Sequence, residues 1–283
     1  MPIITLTTDY GLKDHFVGSI KGKILSAYPS ASIVDISHNV DPFNAAEANY
    51  IISAAYSSFP KGTVHLIGVD TERNRENQHI AIKWNDHYFI SADNGILGLL
   101  TQKIVPEKMV MINIHDRLPA GSSDLDVFIT VATHLAQGGL LNVIGKEIDQ
   151  IKRPTELQPI VASDMSSIKG YVIYIDHFGN AVVNITKQMF TDMAKGRNYE
   201  IILNEKSFRG DRGNIKKIRN NYSDVATSAD FKLKDYEGSK LALFNEAGYL
   251  EIALFRSNPN HGTAATLLGL GYRDVVSIQF YNE

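Results

Sequence analysis

Two short stretches put carboxylates where a ligand could meet them. The run Ile3 to Thr8 is apolar and β-rich, and it opens directly onto Asp9, Gly11 and Asp14 before a helical pattern begins. A second buried-strand pattern, Thr63 to Val69, ends at Asp70. In open α/β sheets ligands bind beyond the carboxyl ends of the strands, so these aspartates would stand at the usual crevice. Carboxylates there can accept hydroxyl or ammonium protons, and one of them can hold or deprotonate a water. Gly11 can take a positive φ and let a ligand approach the backbone. An Asp between a strand and a helix also has a plainer reading as the helix N-cap.

Other chemistries are excluded by what the chain lacks. There is no cysteine, which removes disulfides, thiolate metal sites and thiol nucleophiles. His65, His79, His87, His134 and His177 do not fall into a metal spacing with neighbouring carboxylates, so no catalytic metal is expected. Neither a Walker nor a Rossmann glycine signature is present.

The elements that must position the aspartates alternate. A helical stripe at Phe16, Ile20, Ile24 and Tyr28 is closed by Pro29, SIVDIS (32–37) reads as a strand, and a helix from Asn44 to Phe59 is stopped by Pro60. Strand, helix, strand, helix, strand implies a parallel sheet with helices on its faces and places Asp70 on the same edge as Asp9. HIAIKW and HYFIS flank Asn85-Asp86 as a hairpin, Asp93-Asn94-Gly95 makes a turn, a strand runs from Lys108 to Ile114, and a helix spans about 126–136. Linker composition between Ile151 and Ser163 divides the chain into an α/β nucleoside-binding domain, 1–155, with a mainly parallel sheet, and a small C-terminal β-barrel domain, 163–283.

The balance of 31 acidic against 28 basic residues gives a formal charge of −3, which offers no general attraction for nucleic acid or anionic lipid. A small-molecule partner is the default. No apolar run is long enough for a spanning helix and the N-terminal residues lack a signal-peptide pattern, which reads as a cytoplasmic protein.

Several phrases taken together are more specific: TTDYGLKD, VDISHNVDPFNAAEANYII, GTVHLIGVD, SADNGIL, IDHFGNAVVNI and GYLEIALFRSNPNHGTAATLLGL. In this order, over nearly the whole chain, they resemble the S-adenosylmethionine-dependent hydroxide adenosyltransferases, the group that contains the fluorinases and chlorinases. The resemblance implies hydrolysis of S-adenosylmethionine to adenosine and methionine by water attack at C5′, with no cofactor beyond the substrate. It also implies a homotrimer with intersubunit active sites. Residue by residue, Asp9 falls at the ribose position, Asp14 at the methionine ammonium, and Phe43 where an aromatic packs on the ribose. Asn94 matches a further nucleoside contact, while Asp176, Phe178 and Asn180 match contacts to the methionine part and the adenine.

The reacting end departs from the family pattern. Hydroxide-transferring members carry an Asp, Arg and His set near the water. Asp70 matches the Asp. At equal spacing the Arg position is Asn77, with Arg73 and Arg75 close by, and the His position falls within Ser123-Asp124-Leu125-Asp126, with His115 eight residues upstream in the same loop. The catalytic set read from the resemblance is therefore Asp70, Arg75 and Ser123. Asp124 stands where fluorinases place a serine near the halide, and a carboxylate there would repel fluoride or chloride. In the second domain the family's Asn-Ser pair reads Asn245-Glu246, with Arg256 as a partner for Glu246. The alternative function is a nucleoside-binding protein that has lost the Arg and His; a third is transfer to another nucleophile, enabled by Asp124 and Glu246.

Overall fold

The computed structural model describes residues 2–154, 157–203, 214–226 and 232–281. The chain divides into two compact units, 1–155 and 156–283. The first contains β1 (Ile3–Thr8), α1 (Phe16–Ala27), β2 (Ser32–Ser37), α2 (Ala45–Ala55), β3 (Val64–Gly68), β4 (His79–Trp84), β5 (His87–Ala92), α3 (Ile96–Leu100), β6 (Lys108–Ile112), α4 (Asp124–Ala136), α5 (Leu141–Ile144) and β7 (Gly145–Glu147).

Its seven strands lie in the order β2-β1-β3-β5-β4-β6-β7. Pairing is parallel at β1–β2, β1–β3 and β3–β5, and antiparallel at β4–β5, β4–β6 and β6–β7. The expected mainly parallel sheet is thus a mixed one. The reason is local: Asn85 and Asp86 take φ of 51° and 63°, the two left-handed residues of a tight hairpin, and so short a turn returns the chain antiparallel.

Both faces of the sheet are covered. Ile4, Leu6, Val64, Leu66 and Ala81 pack with Ile20 and Ile24 of α1 and Val127, Phe128, Val131 and Leu135 of α4. The alternating set Ile67, Ile80 and Ile82 packs with Ala48 and Ile52 of α2 and Leu97 and Leu100 of α3. Period-two alternation with an apolar residue at nearly every position marks strands buried on both sides. The stripe predicted for α1 is rotated slightly, because Val17, Ile20 and Ile24 are buried while Phe16 is exposed.

The second unit contains β8 (Ile160–Val161), β9 (Ser167–Ile175), β10 (Ala181–Thr186), α6 (Lys187–Ala194), β11 (Asn198–Leu203), β12 (Ile218–Arg219), β13 (Lys240–Phe244), β14 (Tyr249–Leu254), α7 (Ala264–Leu267) and β15 (Val275–Tyr281). The order β11-β15-β9-β10-β14-β13-β12, with β8 on β9, gives an eight-stranded sheet curled as a half-barrel. It is antiparallel except at β12–β13. Among the described residues β11 and β12 do not pair, so the sheet is open there. No helix of the described residues is long and apolar enough to cross a membrane.

Candidate active site

Asp9 is the hub of the site. It follows β1, beside the end of β3, and its Oδ2 accepts the main-chain N–H of Phe43 at 3.1 Å and that of Asp70 at 3.4 Å. Among the described residues its Oδ1 accepts no hydrogen bond. One carboxylate therefore ties together the loops that follow β2 and β3 and keeps an oxygen for another partner. Gly11 takes φ +66° and donates its N–H to His38 O at 2.7 Å, which turns the chain away from the strand tip.

The two residues that Asp9 holds are both in left-handed backbone, Phe43 at φ 63° and Asp70 at φ 47°. Such conformations cost about 1–3 kcal/mol in a non-glycine residue and collect at functional sites. The Phe43 ring is 74% exposed, an unusual position for a large aromatic held in so restricted a backbone. Asn94 closes the group: its Nδ2 donates to Val69 O at 3.0 Å and Asp70 O at 3.3 Å, and its Oδ1 accepts Ile96 N–H at 3.3 Å. Asp9, Phe43, Asp70 and Asn94 therefore meet at one edge of the sheet. Burial, then Asp9 and Glu72, raise the Asp70 carboxyl above its ordinary range, and Lys152 acts in the opposite direction.

The loop after Asp70 leads to a histidine pair. His79 Nε2 donates to Thr71 O at 2.9 Å, which leaves Nδ1 to accept from His115 Nε2 at 3.0 Å. Burial lowers both imidazoles, so they are neutral at pH 7. His115 does turn inward, one residue away from Asp70 along this chain of bonds. Asp124 sits beside the pair, with Oδ1 at 3.8 Å from His79 Nε2 and Oδ2 accepting the Arg73 main-chain N–H at 2.9 Å. Tyr10 OH lies 3.3 Å from Thr71 Oγ1, and burial raises the phenol.

The remaining candidates of this unit are placed differently. Arg73 Nε reaches Gln78 Oε1 at 3.4 Å, and its charge bears on His79 and His115. Arg75 is exposed in the β3–β4 loop, and Asp14 is exposed ahead of α1. Ser123 is the N-cap of α4. Its Oγ accepts Asp126 N–H at 3.3 Å and donates to Asp126 Oδ2 at 2.9 Å, a complete capping box.

Lys152 was not among the residues singled out from the sequence. Its Nζ donates to Asn77 Oδ1 at 2.7 Å and its main-chain N–H to Asp93 Oδ1 at 2.9 Å. Linker composition hides it, because its position depends on Asp93 far back in the chain.

In the second unit Asp176, Phe178 and Asn180 form one turn after β9. Asp176 Oδ1 accepts the N–H groups of Phe178 and Asn180 at 2.9 and 2.8 Å, and Oδ2 accepts Asn180 Nδ2 at 2.9 Å. Phe178 is exposed and Asn180 buried. Gly179 has φ +75°, and a Cβ on it would meet the Thr263 side chain at 2.3 Å, so this turn admits only glycine at that position. Behind it lies a buried acid that sequence reasoning passed over, Glu251, which accepts from Tyr222 OH; burial raises its carboxyl and Asp176 raises it further. Arg256 does not serve Glu246. It pairs with Glu237 Oε1 at 3.3 Å, and Glu246 is exposed.

Family models described as the SAM hydroxide adenosyltransferase N-terminal and C-terminal domains match residues 4–145 and 170–277. The chain belongs to the SAM hydroxide adenosyltransferase family. Within that family, a relative from Methanocaldococcus jannaschii named (R)-S-adenosyl-L-methionine hydrolase is 29% identical over 98% of this chain and 96% of its own length. A fluorinase from Nocardia brasiliensis is 26% identical over 69% of this chain and 73% of its own length. The crystal structure of an uncharacterized conserved protein from Thermotoga maritima matches with a TM-score of 0.80 at 27% identity, covering 99% of this chain and 100% of that one. As a member of the SAM hydroxide adenosyltransferase family the chain is unusual at its reacting end: Asn77 is bound by Lys152, and Asp124 by the backbone of Arg73. No group of three or more His, Cys, Asp or Glu able to hold a metal ion occurs among the described residues.

Proposed function

We propose that this protein hydrolyses S-adenosylmethionine to adenosine and methionine. The observation that carries the reading is the meeting of two carboxylates, Asp9 and Asp70, at the C-terminal tips of adjacent parallel strands in a chain of this family. Water attacks C5′, the C5′–S bond breaks, and its electron pair stays on sulfur. The sulfonium becomes neutral methionine without help from an acid. The nucleophile is the difficult partner, and it must be held in line about 3 Å from carbon with other water excluded.

In this reading Asp70 orients the water and accepts its proton. Burial and its anionic neighbours raise its proton affinity, which suits a base, while Lys152 keeps it ionised. Asp9 Oδ1 takes the ribose hydroxyls, Phe43 covers the sugar, and Asn94 holds the Asp70 backbone in place. Asp14 faces the methionine ammonium. Asp176, Phe178 and Asn180 contact the methionine part and the adenine, with the Asn180 amide already ordered by Asp176. Ser123 is fully engaged in capping α4, and we assign it to that role rather than to the chemistry. Asp124, negative and fixed near the histidine pair, disfavours an anionic nucleophile such as halide. By resemblance the protein is a cytoplasmic homotrimer with sites between subunits.

Incubation with S-adenosylmethionine in ¹⁸O-labelled water, with mass analysis of the nucleosides, tests the proposal. Adenosine labelled at the 5′ oxygen supports it, and unlabelled adenosine or none refutes it. The second reading, binding without turnover, is favoured by one observation: neither Arg73 nor Arg75 is turned to Asp70. It predicts tight adenosine binding by calorimetry with no product.

A further inference from the structure

The segment that follows β7 is not a passive linker at its start. Ile151 is buried in the core beside α3, and Lys152 N–H is fixed by Asp93. The Lys152 carbonyl oxygen lies only 1.9 Å from where a Cβ on Gly98 would stand, so α3 must carry glycine there to admit this backbone. Pro154 packs over Gly95 in the same way, 2.7 Å from a Cβ at that position. Four separate contacts therefore seat a residue whose own side chain is polar and solvent-facing. An arrangement this specific around a lysine calls for a use of its ammonium group.

We infer that Lys152 is a positioning residue for Asp70, its ammonium, anchored on Asn77 at 2.7 Å, supplying the positive charge that neither Arg73 nor Arg75 brings to that carboxylate. This inference rests on the hydrolase reading above for its catalytic meaning. The charged groups that face Asp70 are Asp9 from the end of β1, Glu72 from its own loop, and Lys152 from the segment after β7. Two anions and partial burial would together leave Asp70 partly protonated and unable to take a proton from water. Lys152 is the group that opposes them. Asn77 has a matching role: its amide oxygen holds the ammonium, a task an arginine at that position would not need performed. The side chains of residues 77 and 152 thus act as a pair in place of one guanidinium.

The test uses the full-length protein labelled with ¹³C at aspartate carboxyls, the Asp70 resonance being assigned through Asp70→Asn. In Lys152→Met the Asp70 titration midpoint should rise by about 0.5–1 on the pH scale, and in Lys152→Arg it should return toward the wild-type value. In parallel, the acid limb of the adenosine-release profile should move upward by the same amount, a loss of about 3- to 10-fold at pH values below the limb, with KM unchanged. An unmoved Asp70 midpoint in Lys152→Met overturns the inference. Should that variant not fold, Asn77→Ala, which leaves the backbone seat intact, should raise the midpoint in the same direction, and no rise overturns the inference equally. If the wild type releases no adenosine, the hydrolase reading falls, and the Asp70 midpoint alone still decides whether Lys152 acts on it.

Discussion

Asp70 and Phe43 carry the sharpest consequences for single side chains, because Asp9 holds both in left-handed backbone without using their side chains. Replacement of Asp70 by Asn keeps the shape and removes the base. Asp70→Asn should lower kcat at least 10²-fold with little change in KM, as expected when general-base assistance is lost. A rate within threefold of wild type would remove Asp70 from the mechanism. Phe43 is a different case, since an exposed aromatic contributes only when a ligand covers it. Phe43→Ala should raise KM for S-adenosylmethionine about tenfold, near the 1.4 kcal/mol that one ring face gives in stacking, with kcat nearly unchanged. Unaltered KM would place the ribose elsewhere.

At the scale of elements, α4 shows how a residue in a catalytic-looking loop is used for helix formation. Ser123 and Asp126 satisfy each other and two N–H groups of the first turn, and Lys23 of α1 reaches Asp126 Oδ1 at 2.5 Å. Ser123→Ala should therefore cost about 1 kcal/mol of stability in denaturant titration while leaving the rate within about twofold. A large loss of kcat at normal stability would return Ser123 to the chemistry. The β3–β4 loop is the opposite case: its composition, TERNRENQ, reads as solvated, yet it is pinned by Asp124 at Arg73 and by Asn74 Oδ1 at the N–H groups of Glu76 and Asn77.

For the whole molecule, a second histidine group sets the response to acid. His65 bridges Thr5 Oγ1 at 2.7 Å and His87 Nδ1 at 3.2 Å within the sheet, and burial, then His87, lowers it to about 3. Unfolded, the same imidazole takes a proton near pH 6.5. Between those values the unfolded chain binds more protons than the folded one. Stability should then fall as pH drops below about 6.5, by up to about 1.4 kcal/mol per pH unit from this group, and level off near pH 3. Chemical denaturation at pH 5 and pH 7.5 should show the difference, and His65→Gln should reduce it; an equal difference in that variant would assign the acid sensitivity to other groups. Assembly is checked at the same scale. Light scattering should give three times the 31.4 kDa chain mass, and a monomer mass would refute the trimer.

Much of this was legible along the chain because strands and helices announce themselves through period and punctuation. β1, α1, β2 and β3 were readable from apolar spacing, Pro29 and Pro60, and the shared edge of Asp9 and Asp70 followed from their alternation. The motif order likewise carried the family. Side-chain partnerships between distant segments were not legible, since nothing local in Lys152, His79, His115 or Glu251 records what it faces. Only tertiary structure turned a linker lysine toward Asn77, paired two imidazoles behind Thr71, sent Arg256 to Glu237, and reversed half the sheet after the turn at Asn85-Asp86. A sequence fixes which groups a chain carries and how each segment is built, whereas the charge beside a carboxylate depends on which segments the core brings together.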